Sequence, residues 1–132
     1  MIGMWSTHAQ AYLLVFSAIV AVVFALPVFV APLAWARIFL WNIPEDTDLV
    51  VYFGRCLATF LLILLAFTFR AGVTGEGLVF VFEFLLPLFA IMVLLHLYGA
   101  IRKIQPITET VEIGVYAALF VLTLLFFPPT GM

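Results

Sequence analysis

Four long apolar stretches fill most of this chain, and five basic and seven acidic residues are all the charge it carries. A soluble domain places Asp, Glu, Lys or Arg at about a quarter of its positions to make a water-facing surface. Here those residues make up 9% of 132, against 67% hydrophobic residues. With that surface missing, lipid is the implied solvent. A hydrocarbon core about 30 Å thick takes roughly 20 helical residues per crossing, so four crossings and their connections use the whole length. The predicted fold is an all-α integral membrane protein, an antiparallel bundle of four transmembrane helices. The spans are expected at residues 8–31, 46–70, 78–99 and 106–127, with an interfacial segment at 33–41, and residues 1–132 form one domain.

Local signals set these boundaries. Thr7 and Gln10 have the spacing of a capping box, and Pro27 is expected to kink the end of the first helix. Ser17, Ala21 and Ala25 make a smooth strip suited to close helix contact. Met1 to Gln10 contains no Lys or Arg, so the first apolar run reads as a retained span, not a secretory signal. Trp35, Arg37, Phe39 and Trp41 suit a segment at the lipid–water boundary. Arg70 to Gly77 is a glycine-rich turn that forces a hairpin, and it lacks the Lys-Ser/Thr of a phosphate loop. Pro106 opens the fourth span, and Pro128-Pro129 closes it.

Arg37, Arg102 and Lys103, with Arg55 nearby, fall at one end of such a bundle, and Arg70 at the other. The positive-inside rule then puts both termini on the non-cytoplasmic side, most simply of a bacterial inner membrane. The net charge of -2 and the lack of a basic block argue against nucleic acid as a partner. The single cysteine, Cys56, excludes an internal disulfide and reads as a packing residue.

An ionisable side chain at the centre of a membrane helix costs roughly 2.5–3.5 kcal/mol, so each one asks for a partner. Tyr52, Arg55, Thr59 and Ala66 share one face of the second helix, and Glu109, Glu112, Tyr116 and Thr123 share one face of the fourth. The two helices run in the same direction. The stripes are therefore expected to meet, with Arg55 paired to Glu112 and Tyr52 or Tyr116 completing the hydrogen bonds. Gly54-x-x-x-Ala58 and Gly114-x-x-x-Ala118 offer the small residues for that contact. Such a pair either handles a proton or an anion or fixes which helix packs where. Glu83 is expected to pair with Arg70 across the hairpin or to stand as a protonated or interfacial glutamate, and, where neither holds, to face a neighbouring protein.

His96 is within plausible reach of Glu109. It is also the one candidate ligand for a haem or chlorophyll-type pigment, because His8 falls at the far end. Grouped His and carboxylate ligands of the kind a di-iron or copper site needs are not evident, so no metal site and no catalytic residue is expected. No cofactor is predicted, with haem, pigment or quinone contact as the alternatives. The first helix carries no acid of the sort small multidrug exporters use, and the cysteine pairs of disulfide-generating quinone reductases are absent.

The favoured function is an accessory or structural subunit of a larger membrane complex. Its partners would be the lipid bilayer and other membrane subunits, reached through the aromatic third helix with Phe80, Phe82, Phe84 and Phe89. The alternatives are a small carrier or enzyme for a lipophilic substrate, centred on Arg55, Glu112 and His96, and a haem or pigment protein using His96 alone.

Overall fold

The computed structural model describes residues 1–130, and every regular element among them is helical. The elements are α1 (Ser6–Val30), α2 (Pro32–Ile38), α3 (Asp48–Thr74), α4 (Leu78–Arg102) and α5 (Ile107–Phe126). All but α2 are long and apolar enough to cross a membrane. The short helix α2 stands between the first two long helices, within the segment where one was expected.

The ends of these helices show how the sequence sets their limits. Gly75 closes α3 in the left-handed conformation, at φ 77°, which glycine adopts without steric cost. The capping box expected at Thr7 and Gln10 does not form. Gln10 Nε2 instead donates to Gly72 O at 3.1 Å, near the end of α3 where intrahelical donors run out. The start of the chain is fixed in a similar way. Gly3 N–H and Trp5 N–H donate to Leu124 O and Leu125 O, among the last carbonyls of α5.

Pro27 disturbs α1 before the proline itself. Residues Ala21–Ala25 widen into a π-helical turn, and Val23 O has no Pro27 N–H to accept. The Trp35 indole supplies the missing bond at 3.0 Å. Its ring meets Phe24 edge-on at 4.8 Å and stacks on Phe39 at 4.3 Å. These contacts fold α2 back onto the end of α1.

The helices pack as two intimate pairs, α1 with α3 and α4 with α5. Small buried residues, Ser17, Ala25, Ala58, Thr68 and Ala71, bring α1 and α3 together. The Ser17 and Thr68 hydroxyls donate to carbonyls of their own helices, so neither needs a donor or acceptor from across the interface. Gly72 is the closest approach. A Cβ there would stand 2.9 Å from the Leu14 side chain and 3.1 Å from Gln10 O.

Larger rings fill the space between the pairs. Phe16 meets Phe89 edge-on at 5.6 Å, and Tyr12 stacks on Phe126 at 4.9 Å. The Tyr12 and Thr123 hydroxyls share a 2.8 Å hydrogen bond that ties α1 to α5. Phe82 and Phe89 are thus core residues, and only Phe80 and Phe84 of the four aromatics expected to face partners point outward.

The glycine motifs divide in the same way. Gly54 approaches Pro32 of α2, and Ala58 is buried, but neither meets α5. Gly114 and Ala118 are exposed, and no atom lies within 4 Å of a Cβ built at Gly114. Gly72→Val should therefore lower stability by about 1–3 kcal/mol through overpacking, read as a reduced thermal midpoint in detergent micelles. Gly114→Ala should leave that midpoint unchanged or raise it.

Candidate functional site

Polar side chains gather where α4 ends and α5 begins. Lys103 takes the left-handed conformation at φ 54° and reverses the chain, so the last turns of α4 lie against the first turns of α5. Gly99 leaves room for the connection. Gln105 folds over it and donates to His96 O at 3.0 Å and to Thr110 Oγ1 at 3.2 Å. Glu109 and Glu112, three residues apart, occupy one face of α5, with Tyr116 one turn further along.

His96 is 5% exposed, and both of its ring nitrogens are engaged. Nδ1 stands 2.7 Å from Met92 O. A carbonyl only accepts, so Nδ1 carries the proton. Nε2 therefore turns toward two carboxylates, Glu109 Oε2 at 3.1 Å and Glu112 Oε2 at 3.4 Å. The other oxygen of Glu109 accepts from Trp41 Nε1 at 2.9 Å. Thr108 Oγ1 donates to Phe39 O nearby, which clamps the segment after α2 onto the start of α5. The Tyr116 ring covers the imidazole with centroids 5.1 Å apart.

An imidazole nitrogen and two carboxylates all attract positive charge. They repel one another unless a proton or another cation lies between them. Among the described residues the ion pairs are His96–Glu109, His96–Glu112 and Arg70–Glu76, so neither Lys nor Arg neutralises the two glutamates. One candidate ligand atom from each of His96, Glu109 and Glu112 falls within a 4.8 Å span. The expectation that no His and carboxylate ligands are grouped is therefore corrected, because the turn at Lys103 brings together residues 13 positions apart and more.

The expected Arg55–Glu112 pair does not form. Arg55 is exposed, and its Nε donates to Phe29 O at 3.3 Å. That carbonyl lies in the last turn of α1, where a cation also meets the negative end of the helix dipole. The whole predicted stripe of Tyr52, Arg55, Thr59 and Ala66 faces outward, with Tyr52 at 66% exposure. The stripe of Glu109, Glu112, Tyr116 and Thr123 does turn inward, against α4 and α1. The second expected pair is replaced too. Arg70 binds Glu76 at 2.6 Å, because the glycines around Glu76 fold it back toward α3, and Glu83 is left exposed on α4.

The predicted contact of His96 with Glu109 is present. Its Nε2, the nitrogen an axial haem ligand would use, faces carboxylates and not an open space. Trp41 and Gln105 were not foreseen at the site. Trp41 carries the signal of a boundary tryptophan, and Gln105 that of a linker residue before Pro106. No family model, curated protein or solved structure matches this chain.

A Cβ at Gly99 would collide with Gln105 Oε1. Gly99→Ala should thus displace Gln105 and lose its two hydrogen bonds, each worth about 1 kcal/mol. In a Gln105→Ala background most of that loss should vanish, and a double-mutant cycle of unfolding free energies measures the coupling.

Proposed function

We propose that the protein is a small membrane carrier or enzyme whose working centre is a cation-holding site made by His96, Glu109 and Glu112. The observation that supports this most is the composition of the cluster, with two carboxylates and one imidazole and no Lys or Arg. A cluster that served only to pin helices has cheaper solutions in this chain. The Tyr12–Thr123 contact joins α1 to α5 through two neutral hydroxyls, without a carboxylate or an imidazole. A second feature fits a lipophilic substrate. An apolar cleft of about 350 Å³, lined by Phe24, Val28, Trp35, Trp41 and Leu57 among others, adjoins the centre through the Trp41 indole that holds Glu109. Arg37, Arg102 and Lys103 share this end of the bundle. By the positive-inside rule it is the cytoplasmic end, in a bacterial inner membrane, with both termini opposite.

Glu112→Gln tests the reading, because Glu109 remains to pair with His96. A working centre sacrifices stability for function, so the thermal midpoint of the variant should stay the same or rise. A cluster that only locks the helices should instead lose stability, because the 3.4 Å His96–Glu112 contact is lost and only the Glu109 contact remains.

A role as an accessory subunit has its own support. Phe80, Glu83, Phe84, Pro87 and Ile91 form an exposed stripe on α4, and Glu83 has no ion-pair partner among the described residues. A lone carboxylate on a lipid-facing stripe is costly, and a donor from a neighbouring subunit would relieve it. Native electrophoresis of mildly solubilised membranes should then show Glu83→Leu shifting the protein from a larger assembly to a smaller species. Identical migration of variant and wild type counts against a partner on this face.

A further inference from the structure

We infer that the site between His96, Glu109 and Glu112 takes one divalent transition-metal ion, of the manganese, iron or zinc class. This rests on the reading of the cluster as a cation-holding centre and names the cation.

The geometry suits such an ion. Imidazole nitrogen and carboxylate oxygen bind zinc at about 2.0–2.2 Å. Neighbouring donors of a tetrahedral or octahedral ion are then about 2.8–3.6 Å apart. Nε2 of His96 is 3.1 and 3.4 Å from its two carboxylate oxygens. The full donor set spans up to 4.8 Å, so the two carboxylates draw together by about 1 Å to surround an ion, and three protein ligands leave a position open for water or substrate.

The surroundings are those of a ligand set. Metal-binding histidines hold their second ring nitrogen in a fixed hydrogen bond, which sets the tautomer and aims the free lone pair. Here Nδ1–H donates to Met92 O and aims Nε2 at the two glutamates. Trp41 orients Glu109 through Oε1 and leaves Oε2 free to ligate. Gln105 fixes the backbone of His96 and the side chain of Thr110. Charge agrees with geometry. Two carboxylates and a neutral imidazole cancel the charge of a divalent ion, so the loaded site is neutral in a low-dielectric setting where net charge is costly. Imidazole among the donors favours iron or zinc over magnesium or calcium, the two carboxylates also suit manganese, and the absence of thiolate from the cluster disfavours copper(I).

Titration of the purified full-length chain in detergent micelles with Co²⁺, followed by its visible absorption, tests this. The expected result is saturation at one equivalent and displacement by Zn²⁺ but not by Mg²⁺. His96→Gln should abolish the signal, and Glu112→Gln should weaken binding at least tenfold. Trp41→Phe, which removes only the hydrogen bond to Glu109, should weaken it about 10–100-fold. His8→Gln, at the opposite end of the bundle, should bind as the wild type does. No saturable absorption, or absorption that survives His96→Gln, overturns the inference. A thermal melt of each variant separates the two levels of the argument. Folded variants with no metal binding in the wild type defeat the metal alone, whereas unfolding of Glu112→Gln defeats the working centre itself.

Discussion

In a medium without water, every backbone carbonyl released from a helix must find a donor inside the protein. Much of this bundle follows from that requirement. Pro27 frees Val23 O, and Trp35 binds it, which folds α2 back against α1. The last turn of α1 exposes Phe29 O to Arg55, and the end of α3 exposes Gly72 O to Gln10. Gly3 and Trp5 serve the end of α5 through their own amides. Polar side chains that look like candidates for a site are therefore already engaged at helix ends.

That engagement explains why the polar centre formed where it did. Arg55 serves α1, and Arg70 is bound by Glu76 in its own turn. Glu109 and Glu112 then face the one remaining buried base, His96, across the α4–α5 pairing. The cluster gathers negative and neutral donors without a fixed cation. Its Trp41 contact also couples it to the apolar cleft lined by Trp35 and Leu57, so the centre and the apolar surface beside it form one local unit.

Much of the architecture was legible in the sequence. Hydrophobic length marked the four helices long and apolar enough to cross a membrane, and the aromatic and basic run marked the short helix between the first two. The inward face of α5 was also readable, since Glu109, Glu112, Tyr116 and Thr123 recur at helical spacing. The mate of that face was not. Opposite charge and equal depth favoured Arg55, but helical periodicity gives a face without saying which neighbour it meets. Gly114-x-x-x-Ala118 misled for the same reason, because small residues permit a close contact without requiring one. The role of Gln105 depended on Gly99, six residues earlier, and no periodic signal links a loop glutamine to a glycine on the preceding helix.

Composition and apolar run length determined that this chain is helical and suited to lipid, because backbone hydrogen bonding in hydrocarbon admits few other solutions for such segments. The tertiary structure alone decided that α1 pairs with α3 and α4 with α5, and so which charges meet. Pairing depends on side-chain shape at interfaces such as Gly72 against Leu14, and on which donor lies nearest each free carbonyl. Those are three-dimensional distances, and a one-dimensional pattern of polar and apolar residues does not encode them.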